Sequence, residues 1–145
     1  MRAVVQRVSR AAVRSEGVLV GSIEAGLCVL VGVTHDDTEQ CARKLADKLW
    51  NLRVMSDEAG VMNRSVADTT RSLLVVSQFT LYGDTERGRR PSWVNAARPE
   101  HAEPLIELLV HELRSLGATV ETGRFRTDMQ VDIVNDGPVT LLLEV

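Results

Sequence analysis

Aromatic side chains are scarce in this sequence of 145 residues, at 3% of the total, so its core must consist mainly of Val, Leu, Ala and Ile. Long apolar runs are also missing, and charged residues interrupt the opening MRAVVQRV from its second position. Neither a membrane-spanning helix nor the apolar region of a secretory signal fits this pattern. We therefore expect a cytoplasmic protein without membrane contact.

Cysteine and histidine are too few and too scattered for the common metal sites. Cys28 and Cys41 lack a metal-type spacing, and two cysteines make no disulfide scaffold, so we interpret both as buried thiols. His35, His101 and His111 form neither an HExxH nor an HxxxH pattern, and the last two are typical of a solvated surface. The sequence predicts no metal and no cofactor.

The familiar enzyme motifs are absent as well, since no G-x-S-x-G elbow, P-loop or dinucleotide fingerprint occurs. A net charge of −3 argues against nucleic-acid binding by the whole surface, although a local basic patch remains compatible with it. The length suits one domain covering residues 1–145.

Most of the regular patterns in the sequence are those of β-strands. Residues 27–33 are continuously apolar, which is typical of a strand covered on both faces. Residues 73–81, which begin with the apolar run LLVV, are a second candidate for a buried strand, and Ser15-Glu16-Gly17 is a short hairpin signal. Together with shorter segments they give about seven strands joined mainly by hairpins. This organisation predicts an α+β domain with a mainly antiparallel sheet or barrel-like core and two packed helices.

Two amphipathic helices account for the remaining periodicity. The first places apolar residues at nearly four-residue spacing from Cys41 to Leu52, with Asp37 as its expected N-cap. The second contains five leucines between residues 105 and 116, and Gly117 is positioned to end it. Because proline is unfavourable inside a helix, we expect the regular part to begin near Pro104.

Polar residues follow the second apolar run, as Ser77-Gln78-Phe79-Thr80. If the strand continued, Ser77 and Phe79 would share one face, and Gln78 and Thr80 the other. Hydrogen-bonding side chains at the end of a buried strand need partners, which a ligand can supply. The alternative is that they bond neighbouring strands and cap the following loop.

A second polar segment, Asn135-Asp136-Gly137-Pro138-Val139-Thr140, is typical of a tight hairpin turn. Only about 5–6% of X–Pro bonds are cis in folded proteins, so turn chemistry by itself favours a trans Pro138 with a structural role. Taken singly, neither polar segment identifies a function.

Together, SQFTL at 77–81 and NDGPVT at 135–140 closely resemble the D-aminoacyl-tRNA deacylases. The resemblance covers the whole chain and includes AVVQRV at 3–8, DTERGRRPSW at 84–93 and TGRF…DMQV at 122–131. It implies a homodimer with active sites at the subunit interface, each joining the SQFT segment of one subunit to a Gly–cis-Pro pair of the other. It also implies ester hydrolysis of D-aminoacyl-tRNA and glycyl-tRNA, with rejection of L-aminoacyl-tRNA.

The same resemblance assigns roles to particular residues. It implies that the reacting centre is lined by Ser77, Gln78, Phe79 and Thr80. It implies substrate binding by Gly137 and Pro138 as the chiral screen, by Arg7 as the residue that steadies the screen, by Phe125 and Met129 around the terminal adenosine, and by Asn135 and Thr140. For Phe125 and Met129, a role as apolar core residues stays open.

Several alternatives remain at this point. The loop carrying Arg87, Arg89, Arg90 and Arg98 is a candidate for tRNA phosphate contacts, or else a solvated or intersubunit salt-bridged loop. Thr80 is either a nucleophile or a bystander of catalysis assisted by the substrate's ribose hydroxyl; no activating base lies next to it in the sequence. Rival functions are a dimeric module that binds nucleotides or RNA ends, and an esterase of free amino-acid esters.

Overall fold

The computed structural model describes residues 1–86 and 88–145. Within them lie the strands β1 (Arg2–Ser15), β2 (Val18–Ile23), β3 (Gly26–Gly32), β4 (Met55–Ser56), β5 (Met62–Arg64), β6 (Ser72–Ser77), β7 (Val120–Thr122) and β8 (Met129–Glu144). The helices of the same residues are α1 (Glu39–Asn51), α2 (Val66–Thr69) and α3 (Pro99–Ser115), with a 3-10 turn at Phe79–Tyr82. The short α2 is an addition to the two predicted helices.

Six of these strands form one sheet in the order β2-β1-β3-β6-β7, with β8 beside β1. β1 runs antiparallel to β2, β3 and β8, whereas β3–β6 and β6–β7 are parallel pairs. The ends of the sheet approach each other, because a Cβ on Gly21 of β2 would lie 2.6 Å from the Thr122 carbonyl oxygen of β7. The sheet is therefore nearly closed, and the predicted barrel-like core is confirmed.

The hairpin between β1 and β2 turns at the predicted residues. Glu16 and Gly17 both have positive φ, 53° and 78°, as the two-residue type I′ hairpin turn requires. The preceding strand is longer than its sequence pattern indicated. β1 pairs with β3 near its start and with β2 near its end, while β8 pairs with both parts. That shared partner keeps the two halves in one strand.

Two apolar cores lie on opposite faces of the sheet. On one face, residues of β3 and β6 pack against the apolar sides of α1 and α3, with Leu27, Leu45, Leu73 and Leu109 fully buried. On the other face, Val8, Val13, Cys28 and Leu74 fill the interior of the curved sheet. Burial on both faces explains why β3 is continuously apolar, as predicted, and why the central residues of β6 are apolar as well.

Asp37 is not the N-cap of α1, contrary to the prediction; that position belongs to Thr38, whose side chain makes no capping hydrogen bond. Asp37 is instead buried, where it pairs with the α-ammonium group of Met1 and accepts a hydrogen bond from the Thr34 backbone N–H at 2.7 Å. A long-range charge partner thus decides its role. Cys41 is only half-buried, so the expectation of two buried thiols holds for Cys28 alone.

α3 begins at Pro99 rather than near Pro104, which lies inside the helix. Pro99 occupies the first helical position, where the missing N–H costs nothing. Pro104 removes one internal hydrogen bond, and the burial of the helix's apolar face offsets that loss. Gly117, with φ of 103°, follows the last residues as predicted. Among the described residues, no helix is both long enough and apolar enough to cross a membrane.

Candidate active site

β6 ends earlier than its sequence indicates. Its parallel partner β3 stops at Gly32, and the last paired residues are Val31 and Ser77. Without a partner strand the chain turns at Gln78 into the 3-10 turn at Phe79–Tyr82. The strand alternation expected for Ser77, Gln78, Phe79 and Thr80 was therefore wrong, because a helical turn spaces their side chains differently.

Hydrogen bonds fix the backbone of this turn. The Gln78 N–H donates to the Val31 carbonyl at 2.7 Å, and the Gln78 carbonyl accepts from the Leu81 N–H at 3.2 Å. The Gln78 side-chain amide donates to the Thr80 hydroxyl oxygen. Arg2 donates to the Leu81 carbonyl at 2.7 Å and lies 4.9 Å from the ring centre of Tyr82. The contact with β3 is thus made by the Gln78 backbone, and the Gln78 side chain bonds within the turn without capping it, which differs from the alternative of side chains that bond neighbouring strands and cap the loop.

A cavity of about 700 Å³ opens where β6 ends. Ser77, Gln78 and Phe79 line one side, and Phe125 and Met129 line another. The start of α3 closes it with Arg98, Pro99, Ala102 and Ile106. The volume lies within the range of about 300–1,000 Å³ typical of ligand pockets. Phe125 and Met129 are half-buried, so they both pack on the core and border the cavity.

An aromatic pair stands at the mouth of this cavity. The rings of Phe79 and Trp93 meet edge to face at 5.3 Å between centroids, and their side chains are 56% and 43% exposed. Trp93 can approach because Gly83 has no side chain; a Cβ there would lie 2.6 Å from the indole ring. Burial raises the pKa of the neighbouring Tyr82 to about 12, so its phenol keeps its proton at neutral pH.

The segment at residues 135–140 is not the predicted hairpin turn. β8 pairs antiparallel with β1 on both sides of it, so the chain continues in one direction. Two steps along β1, from Gln6 to Val8, correspond to five steps along β8, from Thr140 back to Asn135. The extra residues bulge out of the sheet, with Gly137 at φ of 124° and the Gly137–Pro138 peptide bond in the cis form.

Arg7 holds this bulge from β1. Its Nε lies 3.1 Å from the Asp136 carboxylate and donates to the Asp136 carbonyl at 3.2 Å. Its Nη1 donates to the carbonyl of Val54, beyond the end of α1, at 2.8 Å. The Arg7 side chain is only 11% exposed whereas Asp136 is 49% exposed, so this ion pair is shielded from water on the arginine side alone.

Asn135 closes the base of the bulge. Its amide donates to the carbonyl of Val139 at 3.0 Å and to that of Arg7 at 2.9 Å. Thr140 lies beside it, with its hydroxyl 3.5 Å from the Asn135 carbonyl oxygen and 3.2 Å from the Gln6 amide nitrogen. In the isolated chain these side chains serve the loop's geometry.

A family model described as D-Tyr-tRNA(Tyr) deacylase matches residues 4–144. The chain belongs to this deacylase family.

Relatives and solved neighbours match at least 99% of the chain. The D-aminoacyl-tRNA deacylase of Halalkalibacterium halodurans is 55% identical over 144 residues, 99% of each chain. That of Symbiobacterium thermophilum is 57% identical, covering 99% of this chain and 95% of its own. The solved structure of a c-Myc DNA Unwinding Element Binding Protein has a TM-score of 0.93 at 40% identity, covering 100% of this chain and 99% of its own. A probable eukaryotic D-amino acid tRNA deacylase, at 16% identity and a TM-score of 0.85, shares the fold.

In this member of the deacylase family the predicted site residues form two separate clusters. Ser77, Gln78, Phe79, Phe125 and Met129 border one cavity, with Thr80 in the adjoining turn. Arg7, Asn135, Gly137, Pro138 and Thr140 form the other, beside β1. Arg2 pairs with Gly32 near the first cluster, whereas Arg7 pairs with Leu27. At about 3.4 Å per residue, the clusters are roughly 17 Å apart along β1 alone.

The arginine-rich loop contributes unequally to the cavity. Arg98 borders it, Arg89 and Arg90 are exposed, and Arg87 lies outside the described residues. Arg126, with φ of 58°, also borders the cavity, although nothing in its sequence context singled it out. Within residues 1–86 and 88–145, no three His, Cys, Asp or Glu side chains are grouped to hold a metal ion.

Three further groups of these clusters were not predicted from the sequence. They are Trp93 at the cavity mouth, Asp136 as the partner of Arg7, and the Val54 carbonyl. Asp136 stands in the quoted motif, but its pairing with Arg7 crosses more than a hundred residues and leaves no local pattern. A backbone carbonyl leaves no trace in sequence at all. Trp93 ends the matching segment DTERGRRPSW at 84–93, where a large exposed aromatic residue in a polar loop could have indicated a binding site.

Proposed function

We propose that this protein hydrolyses the ester of D-aminoacyl-tRNA and of mischarged glycyl-tRNA in the cytoplasm, and that it rejects L-aminoacyl-tRNA. The observation that carries the proposal is the cavity at the end of β6. It is bordered by Ser77, Gln78 and Phe79 of the SQFT segment and by Phe125 and Met129. The ester can therefore lie against the SQFT segment, and the attached adenosine can lie against Phe125 and Met129. Membership of the deacylase family supports the same substrate class.

Positioning and oxyanion stabilisation carry the hydrolysis in this proposal. The first hydrogen bond within the 3-10 turn is donated by Leu81 to Gln78, so the preceding N–H groups of Phe79 and Thr80 have no acceptor inside the turn. Backbone N–H groups of this kind stabilise a developing oxyanion. The Thr80 hydroxyl oxygen accepts from an amide, which cannot remove its proton. We therefore favour assistance by the substrate's own ribose hydroxyl over a threonine nucleophile.

The chiral screen in this proposal is the backbone of Gly137–Pro138. Apolar pockets distinguish substrates by only about 1–3 kcal/mol per methylene, so a side-chain pocket is a poor general filter for chirality. A fixed backbone beside the substrate Cα rejects an L side chain whatever its identity, and it accepts glycine. Arg7 and Asn135 supply the required rigidity through their bonds to the loop.

A second subunit is needed to bring this screen to the cavity. The two clusters are distant within one chain, and the loop protrudes from the outermost strand of its side of the sheet. β8 also exposes apolar side chains, with Leu141 at 38%, Leu142 at 59% and Val134 at 42%. An exposed apolar edge strand favours burial against another chain. We propose that this chain is a second copy, in a homodimer with symmetric active sites.

The direct test incubates catalytic amounts of the protein with D-Tyr-tRNA and, separately, with L-Tyr-tRNA, and follows ester loss. We expect multiple turnovers of the D-substrate and of Gly-tRNA, with L-Tyr-tRNA intact. Survival of D-Tyr-tRNA under these conditions would refute the deacylase proposal. Equal loss of both enantiomers would leave an esterase and remove the chiral screen.

Gly137→Ala tests the screen itself. A Cβ at this position would lie 2.8 Å from a Val139 methyl and 3.0 Å from Arg7 Nη2, on a backbone with φ of 124° that L side chains rarely adopt. The loop must shift, so we expect faster loss of L-Tyr-tRNA. An unchanged ratio of D to L rates would contradict the assigned role.

Mixing experiments test whether the site is shared between subunits. A double variant, Phe79→Pro with Gly137→Ala, is refolded together with the wild-type chain; the proline removes one of the proposed oxyanion N–H donors. Mixed dimers then contain one site with an intact SQFT segment and an altered screen. We expect L-Tyr-tRNA hydrolysis in the mixture but in neither parent. Its absence, when Gly137→Ala alone hydrolyses L-Tyr-tRNA, would place both parts of the site in one chain.

One solved neighbour favours a second candidate function. The structure at 40% identity is that of a c-Myc DNA Unwinding Element Binding Protein, so its name describes DNA binding. Exposed Arg89 and Arg90 offer phosphate contacts to such a ligand. Binding titrations with single-stranded and duplex DNA separate the two candidates. Tight DNA binding without any loss of D-Tyr-tRNA would support the binding module.

A further inference from the structure

A second cavity, of about 440 Å³, adjoins the first between α3 and the residues that follow β7. Ser77, Ile106 and Phe125 line both cavities, so Phe125 stands as a partition between them. Gly123 lines the second cavity and lies so close to Met129 of the first that a Cβ there would be 2.7 Å from its sulfur. A ligand that fills the first cavity can therefore extend into the second one with the group that follows in its chain.

Charges in the second cavity are ordered along its length. On α3, Glu103 and Glu107 flank the shared Ile106 and are followed by His111 and Arg114, all on one face of the helix. Arg114 is fixed by a hydrogen bond of 2.8 Å from its Nη2 to the Val120 carbonyl. Arg124 lines the opposite side. Glu103 and Glu107 thus lie beside the shared Ile106, Arg114 lies farther along α3, and Arg124 lies across the cavity, next to Phe125 in the chain. All four charged side chains are exposed.

We propose that this second cavity holds the cytidine that precedes the terminal adenosine in the CCA end of tRNA, an inference that rests on the proposed function. Cytosine presents an exocyclic amine, which carboxylates of Glu and Asp accept, whereas uracil presents a carbonyl oxygen at the same position. Glu103 and Glu107 are the acceptors. Their negative charge keeps the phosphate away, and Arg124 binds it across the cavity.

Phe125 supports the same arrangement. Proteins recognise single-stranded RNA by stacking splayed bases on aromatic rings, and each cavity borders this ring. The adenine lies on the side shared with Met129, and the cytosine lies on the side of Glu107. The carboxylates then read the base and the ring separates the two nucleotides, so the site prefers the CCA end to other RNA termini.

The test measures binding and does not depend on hydrolysis. The probes are D-tyrosyl groups joined through a stable amide to 3′-amino-3′-deoxyadenosine, as the free nucleoside and at the ends of the trinucleotides CCA and CUA. We expect the wild-type protein to bind the CCA probe about tenfold more tightly than the CUA probe. The double variant Glu103→Gln with Glu107→Gln should reduce that ratio to near one, without changing affinity for the nucleoside probe.

Glu121→Gln is the matched control, because Glu121 lies exposed on β7 outside both cavities. It removes a nearby negative charge and should leave the ratio of CCA to CUA affinity unchanged. Single variants at Glu103 and Glu107 divide the effect between the two carboxylates. Arg124→Gln should weaken both trinucleotide probes alike and spare the nucleoside probe.

Three outcomes would overturn the inference: equal wild-type affinity for the CCA and CUA probes, an unchanged ratio in the double variant, or an equal loss of nucleoside binding in that variant. Failure of the proposed function is a different result. In that case D-Tyr-tRNA is not hydrolysed, whatever the trinucleotide affinities are. A protein that discriminates the probes without hydrolysing D-Tyr-tRNA would keep the cytidine site and lose the deacylase activity.

Discussion

The two motif segments, residues 77–82 and 135–140, are held in place by different means. The first follows a buried strand, and its backbone bonds directly to β3 through Gln78 and Val31. The second bulges from the sheet where pairing between β1 and β8 is interrupted, and Arg7 and Asn135 hold it through their side chains. One segment inherits its position from the sheet, while the other depends on a few polar contacts.

The difference shows which substitutions each segment tolerates. A turn anchored by main-chain hydrogen bonds keeps its shape when a side chain changes, because its partners are backbone atoms. A bulge anchored by Arg7 and Asn135 loses its shape with either side chain. Substitutions in the two segments distinguish these two kinds of anchoring.

Arg7→Ala should have the largest effect. It removes charged hydrogen bonds to two carbonyls and the ion pair with Asp136, in a site that is 11% exposed on the arginine side. Hydrogen bonds to charged groups contribute about 1.5–3 kcal/mol each, so we expect a loss of about 2–3 kcal/mol in the free energy of unfolding. Urea denaturation measures this loss, and L-Tyr-tRNA hydrolysis should rise.

Arg14→Ala is the matched control on the same strand. Arg14 also pairs with an aspartate of β8, Asp132, but the two side chains are 42% and 69% exposed. Exposed ion pairs contribute about 0–1 kcal/mol, so stability and selectivity should barely change. Equal effects of the two variants would mean that Arg7 has no special part in holding the loop.

Asn135→Ala is expected to cost about 1–2 kcal/mol, because two carbonyls, of Arg7 and Val139, lose their donor. The loop then moves at its base while Arg7 still holds Asp136. D-to-L selectivity should fall, and the KM for D-Tyr-tRNA should change less. If selectivity survives while stability falls, Asn135 supports the sheet and not the screen.

Thr80→Ala tests the backbone-anchored segment. The Thr80 side chain is exposed, and it accepts from Gln78, whereas the turn is kept by main-chain bonds. We expect the free energy of unfolding to stay within about 0.5 kcal/mol of the wild-type value. The variant should also keep substantial activity on D-Tyr-tRNA. Complete loss of kcat with an intact fold would instead support a threonine nucleophile.

Substitution of Cys28, on the strand β3 that pairs with β6, should have the smallest effect on stability. Burial raises the pKa of its thiol from 9.0 to about 11, so the folded protein keeps a proton that the unfolded chain releases. This contribution to stability is complete below about pH 9 and is lost as the pH rises towards 11. Thermal unfolding across this range should show a smaller decline for Cys28→Val than for the wild type. An identical decline would assign the alkaline sensitivity to other groups.

Features that depend on local chemistry follow from the amino-acid sequence alone. Apolar continuity located β3 and β6, positive-φ preferences located the Glu16–Gly17 turn, and Gly117 ended α3. The SQFTL and NDGPVT motifs with their flanks identified the family, which the comparisons confirm. In each case the deciding residues are neighbours in the chain or form a pattern of fixed spacing.

Where those patterns end, and which residues they contact, depends on tertiary contacts. β6 ends at Ser77 because β3 ends, and residues 135–140 bulge because β1 continues past them on both sides. Asp37 pairs with the Met1 ammonium group and does not cap α1, and Arg7 pairs with Asp136. Strand ends and ion pairs depend on partners far away in the chain, and for this reason no local pattern encodes them.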